Sequence, residues 1–268
     1  MRTYMTPTRA YTDGKYGQVH YAICGEGNPL VLMHQSPTHM IQFQNVWGPL
    51  SDRGIQAIGI DLPGYGCSDG PNEVPPMEDY ADVVPTVLDA LGIDKADILG
   101  HHTGSMVATE VALQFPDRIN RIILNGPCPF SDDEREFFRP IMANEKNYGP
   151  REDGSHLTEQ WNSRIGAQPG WTDLDAIHRN VVAGAAAWPN AWFAHDAVIN
   201  YDHAEAMKKI TQPCLIMSNN GDTIHAIAAR AKEICPHFDY SEQEGGTFDF
   251  IDEQPVVWAD AVAEWLNR

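Results

Sequence analysis

Ala96-Asp-Ile-Leu-Gly100-His101-His102-Thr103-Gly104-Ser105-Met-Val-Ala-Thr-Glu-Val-Ala-Leu113 runs from a short apolar stretch into a helical pattern through five residues bounded by two glycines. Glycines on both sides of a tip residue mark a strand-to-helix elbow too tight for a Cβ at either position, with the middle residue held strained above the sheet. The tip of such an elbow is ordinarily serine. Here it is His102, so an ordinary serine nucleophile is not expected at this point.

Outward from the elbow, short apolar segments alternate with helical ones. Gln18 to Cys24, Leu30 to Met33, Ile55 to Ile60, Ala96 to Leu99, Ile119 to Leu124 and Pro213 to Met217 read as strands. Most of them are continuous apolar runs, as expected of strands covered on both faces. Glu78 to Leu91, Ser105 to Phe115, Ile224 to Ile234 and Pro255 to Leu266 read as helices. This alternation predicts an α/β fold whose mostly parallel sheet is flanked by helices. The stretch 131–206 breaks the rhythm: it is helical or irregular and carries Trp161, Trp171, Trp188 and Trp192. It reads as a helical cap inserted into a core made of 1–130 and 207–268.

The 268 residues, 43% of them hydrophobic, are enough for one large core. A formal charge of −19 repels phosphate backbones and anionic lipid heads, so neither nucleic acid nor a membrane surface is expected as a partner. The expected partner is a small-molecule substrate, and nothing bears on oligomeric state. Cys24, Cys67, Cys128, Cys214 and Cys235 are scattered and lack CxxC spacing, reading as buried thiols of a reducing compartment. No apolar run approaches the roughly 20 residues that span a bilayer. A soluble, cytoplasmic protein is the expectation. Eleven histidines show no HExxH or related ligand spacing, and His101 and His102, adjacent at a strand end, are expected to point to opposite sides; no metal is expected. Gly25-Glu-Gly27 and Gly64-Tyr-Gly66 stand in no GxGxxG frame, so no nucleotide cofactor is expected either.

Five landmarks in order resemble the α/β-hydrolase superfamily over nearly the whole chain. Leu30-Val-Leu-Met-His34-Gln35-Ser36-Pro37 resembles its His-Gly loop, and Asp61-Leu-Pro-Gly64-Tyr-Gly66-Cys-Ser68 its Asp-x-Pro-Gly-x-Gly-x-Ser segment. The elbow, Phe115-Pro-Asp-Arg118 and Ser218-Asn-Asn-Gly-Asp222 follow. The resemblance implies a nucleophile at the elbow, an acid after a late strand and a histidine near the C-terminus. Of these only the acid, Asp222, is kept. The histidine position reads Glu244-Gly-Gly-Thr247-Phe248-Asp249, so Thr247 or Phe248 replaces it.

His102 can act as base, acid or nucleophile near neutral pH without an activating partner. Asp222 could fix its tautomer. By resemblance the oxyanion hole uses the Thr103 N–H with that of Gln35 or Ser36, both of them backbone donors unaffected by side-chain changes. His34 is expected to brace that loop, and the Gln35 amide either to enter the pocket or to pack outward. His101 is expected to be structural, Ser105 to face away from the cleft and His225 to lie at the surface. Trp188 and Trp192, in the segment over the pocket, suggest a largely apolar ligand. Three functions remain open: cofactor-independent hydrolysis of an ester, lactone or related acyl bond; a lyase, hydratase or isomerase step with proton removal beside a carbonyl; and ligand binding without catalysis.

Overall fold

A computed structural model describes residues 5–167, 170–171 and 173–268. In chain order the elements are β1 (Thr8–Gly14), β2 (Gly17–Cys24), β3 (Asn28–Met33), α1 (Trp47–Ser51), β4 (Ile55–Ile60), α2 (Val83–Leu91), β5 (Ala96–His101), α3 (Thr103–Gln114) and β6 (Ile119–Asn125). Five helices follow: α4 (Asp132–Ala143), α5 (Ser155–Gly166), α6 (Leu174–Ala186), α7 (Phe193–Asn200) and α8 (His203–Met207). Then come β7 (Cys214–Asn219), α9 (His225–Ile234), β8 (Asp239–Gln243), α10 (Phe250–Glu253) and α11 (Pro255–Leu266).

The eight strands form one sheet in the order β1-β2-β4-β3-β5-β6-β7-β8. Pairing is antiparallel at β1–β2 and β2–β4 and parallel from β4 to β8. The fold is thus the α/β-hydrolase architecture expected from the sequence. Central strands β3 and β5 to β7 end in wholly buried residues, Leu30–Met33, Ile98–His101, Ile122–Asn125 and Cys214–Asn219. Coverage of both sheet faces makes these strands read as continuous apolar runs. Two strands escaped the sequence reading. The edge strands β1 and β8, Thr8-Arg-Ala-Tyr-Thr-Asp-Gly14 and Asp239-Tyr-Ser-Glu-Gln243, are mostly exposed or half-buried and carry no apolar pattern. The helix expected over 78–91 is also broken. A 3₁₀ turn, Met77–Tyr80, precedes α2, which ends at Gly92 in the left-handed conformation, φ 65°.

Helix α3 buries Thr103 through Ala112 without a break, packing on β5 and β6. Its small residues allow that approach, and each large side chain such as Met106, Val107 or Val111 contributes about 1.5–3 kcal/mol. Across the sheet, fully buried Trp258 of α11 donates from Nε1 to Asn125 Oδ1 at 2.7 Å, tying the last helix to the end of β6. Trp258→Phe leaves that buried amide acceptor unpaired and is expected to cost about 1–3 kcal/mol. An unchanged urea midpoint for the variant would contradict this.

Helices α4 to α8 lie between β6 and β7, the interval read as inserted. Tyr65 joins them to the core: its hydroxyl accepts from Ala194 N–H at 2.9 Å and donates to Ala191 O at 3.1 Å. Two ion pairs add to this, Arg164 with Asp249 and Arg179 with Asp252, both carboxylates being almost wholly buried. Of the cysteines, Cys24, Cys128, Cys214 and Cys235 are buried as expected. Cys67 is exposed instead, because its loop turns outward while its N–H bonds to Asp61 Oδ2. No described helix is long and apolar enough to cross a membrane.

Candidate active site

His102 is the single residue between β5 and α3, at φ 49° and ψ −111°, and the only non-glycine with positive φ among the described residues. Its N–H is held by Asn125 O at 2.9 Å. The flanking glycines are required by space: a Cβ on Gly100 would lie 1.9 Å from Gly104 O, and one on Gly104 2.2 Å from Met33 O. Gly126, just past β6, is a third such position, missed in the sequence because nothing in Asn125-Gly126 points to the elbow. A Cβ there would sit 2.4 Å from His102 Cδ2, so glycine is what admits the imidazole.

The ring meets Asp222, its Nε2 lying 2.8 Å from Asp222 Oδ2. The other carboxylate oxygen accepts from Ile224 N–H at 2.9 Å, which orients the pair. A carboxylate accepts, so neutral His102 carries its proton on Nε2 and its lone pair on Nδ1. Nδ1 has no protein partner among the described residues, and the His102 side chain is 14% exposed. The site therefore offers a carboxylate-braced imidazole with one basic nitrogen open.

The Thr103 N–H and the Ser36 N–H have no acceptor among the described residues. The Gln35 N–H, the alternative donor, is taken by Gln42 Oε1 at 2.9 Å. The Gln35 amide neither enters the cleft nor packs outward; it is buried and donates from Nε2 to Asp249 Oδ1 at 2.8 Å. His34 braces the loop, with Nδ1–H donating to Gln35 O at 2.8 Å and Nε2 accepting from Leu62 N–H at 2.9 Å. Burial pushes its pKa down to about 4, so it is neutral at physiological pH.

His101 is buried, and its Nδ1 accepts from the Gln42 side-chain amide. Its ring does not point away from that of His102. The centroids are 4.2 Å apart at 36°, because the positive φ at the tip breaks the strand alternation on which opposite sides depend. Ser105 is buried, its hydroxyl bonding back to His102 O at 2.6 Å. His225 is bonded to Ser218 and lies near Glu242. Where the sequence resemblance places a histidine, Thr247 turns back onto Glu253, whereas the Phe248 ring lies 6.4 Å from the His102 ring.

A cleft of about 150 Å³ opens between Pro37, Thr38 and Phe248 of the core and residues of α5 and α6. Trp188 lines it. Trp192 does not: its ring lies under Lys146 Nζ at 3.9 Å and against Phe193, beside a separate hollow with Arg139 and Met142. Trp192 is the N-cap of α7, and its ring packs edge-on against Phe193, the first residue of that helix. One group with metal-ligand chemistry occurs among the described residues: His20, Asp61 and Cys67 place ligand atoms within 4.8 Å of one another. Asp61 is already bonded there to His20 Nδ1 and to the Met40 and Cys67 amides.

A core sheet, a glycine-framed elbow and an acid after a late strand define the α/β-hydrolase class. A family model described as alpha/beta hydrolase fold matches residues 28–254, and the chain belongs to that family. It is similar to the 2-hydroxy-6-oxo-6-phenylhexa-2,4-dienoate hydrolase of Comamonas testosteroni, 32% identical over 117 residues, 41% of this chain and 40% of that protein. The chain thus spans about two fifths of the length of the first curated relatives it matches. Proline iminopeptidase of Clostridium botulinum is 25% identical across 98% of this chain and 99% of its own length. Among solved structures, a thermophilic esterase from Thermogutta terrifontis superposes with a TM-score of 0.80 at 21% identity, covering 97% of this chain and 98% of that one. That last likeness concerns the fold.

Proposed function

We propose that the chain is a cofactor-independent hydrolase acting on an ester, lactone or related acyl bond of a small, fairly apolar carbonyl compound, with His102 as base or nucleophile. Residues 131–206 serve as the cap over its cleft. The observation that carries this reading is the 2.8 Å contact of His102 Nε2 with Asp222, which leaves Nδ1 basic at the mouth of a strained elbow. Nδ1 takes a proton from water while the water oxygen adds to the substrate carbonyl carbon. The resulting oxyanion is held by the Thr103 and Ser36 N–H groups. Collapse of the adduct expels the alcohol oxygen, which takes from imidazolium the proton that came from water. As a nucleophile, Nδ1 would itself add to the carbonyl and expel the alcohol oxygen, which takes a proton from water; the hydroxide left then adds to the acyl-imidazolium and releases the acid and neutral His102. By resemblance the usual histidine position is Thr247 or Phe248, neither of which carries a proton near neutral pH, so His102 must serve both halves of the reaction. The hydrolase names among the relatives support the same class.

The test is kcat/KM against pH on a panel of p-nitrophenyl esters and lactones. Neutral His102 is the working form, so the rate rises with pH and levels off. Asp222→Asn takes away the carboxylate that orients the ring, and kcat/KM is expected to fall. An unchanged kcat/KM in that variant removes the partnership; a profile flat from about pH 5 to 9, around the histidine reference value, removes proton transfer. Solvent deuterium entering a ketone or acid that is not hydrolysed would identify the lyase or isomerase class instead, and tight binding without turnover the binding-only reading.

A further inference from the structure

Arg164 of α5 lines the cleft, its guanidinium 4.3 Å from the centroid of the Phe248 ring, the same ring that lies 6.4 Å from His102. Cation and base thus both lie close to one aromatic side chain, which lines the cleft although His102 itself is not in the lining. Arg164 Nη2 donates to buried Asp249, but Nη1 has no partner among the described residues, and the side chain keeps 18% exposure. Arg164 is the only cation among the described residues of the lining. The one carboxylate among them, Glu145, is bonded to His195 Nδ1 at 2.8 Å. Arg179, the other ion-paired arginine joining these helices to the core, has no place in the lining, so holding the helices down does not by itself require an arginine edge in the cleft. In a chain of net charge −19, an anion gains nothing from the overall field and must be held locally.

We propose that Arg164 docks a carboxylate of the substrate, and that the acyl compounds handled at His102 carry this carboxylate at the end remote from the reacting carbonyl. The proposal names the substrate class of the hydrolase reading and rests on it for the position of the carbonyl. A guanidinium presents a planar fork of donors, and its Nη1 edge takes one carboxylate oxygen while Nη2 stays on Asp249. Ala167, Val181, Ala185 and Trp188 supply apolar walls for the body between the two ends. Asp249 also receives the Gln35 amide and Asn180, so it keeps its hydrogen bonds when Arg164 turns part of its fork to a ligand.

The test is binding, so it needs no turnover. Titration calorimetry compares 4-oxo-4-phenylbutanoate with its uncharged amide, 4-oxo-4-phenylbutanamide, on the whole chain. The acid is expected to bind about tenfold tighter or better, the scale of a hydrogen bond to a charged group. Arg164→Gln should reduce that preference to within about twofold, and Arg164→Lys should retain part of it. Asp249→Asn frees the guanidinium of its internal counter-ion and should tighten the acid severalfold, a result that a purely structural ion pair would not produce. Should Arg164→Gln fail to fold, the other two variants decide. Equal binding of acid and amide, no binding of either, or a preference that survives in folded Arg164→Gln overturns the proposal. Acid preference without hydrolysis of any ester overturns the hydrolase reading and leaves the subsite standing.

Discussion

His102→Ala is expected to lower kcat/KM on any ester or lactone turned over by the wild type at least about 100-fold, the scale of a positioned acid-base group. Among the described residues, His102 Nδ1 is the only open basic nitrogen at the elbow, and neither Thr247, folded onto Glu253, nor Phe248 can replace it. The fold should survive. The backbone at 102 is held by Asn125 O and by the crowding of Gly100 and Gly104, none of which involves the side chain. Near-normal turnover in a folded variant would remove His102 from the chemistry. A loss of turnover accompanied by a collapsed melting temperature would instead assign the residue to stability.

Acidification is expected to destabilise the protein between pH 6.5 and 5. Desolvation lowers the pKa of three fully enclosed histidines: His34 to about 4, His203 to about 3, and His101 also well below its ordinary value. Their hydrogen bonds account for the neutral forms. His203 Nδ1 accepts from Cys128 N–H and its Nε2 faces Thr109 Oγ1, while His101 accepts from Gln42. In the unfolded chain each titrates near 6.5, so below that pH the unfolded state binds protons that the folded state refuses. The stability they confer is complete above 6.5 and is lost as pH falls toward the folded values. Each contributes a loss of up to about 2 kcal/mol by pH 5. Three groups run the other way and offset part of the loss: burial raises the carboxyl of Asp252 to about 7 and that of Asp97 to about 6, and Glu145 raises His195 against the effect of burial, so the folded state takes up these protons more readily than the unfolded one. Urea unfolding at pH 7 and 5 checks the slope. A His203→Gln variant, with no proton to gain, should lose less than the wild type between those values, and equal losses would exclude that histidine as a source.

Buried parallel strands, the elbow glycines and the order of landmarks could all be read from the chain, because a strand enclosed on both faces must be apolar along its length. Edge strands β1 and β8 were invisible for the complementary reason: half their surface faces water, and nothing in Thr8–Gly14 or Asp239–Gln243 need be apolar. Within the site, His102 and Asp222 were nameable from position, and the structure brings them to 2.8 Å. Gln42, Asp249 and Arg164 were not. Each is an ordinary polar residue in its own segment, and its importance comes from partners far away in sequence, such as the Gln35 amide with Asp249 across 214 residues.

The local sequence determined the strained elbow with histidine at its tip, since backbone sterics act between neighbours and leave a signature in adjacent glycines. Tertiary structure alone decided which nitrogen of that histidine is open, which loop amide is already taken and where a cation meets the cleft. Those are properties of hydrogen-bond partners and enclosure, and both are set by which distant segments the sheet and the inserted helices bring together.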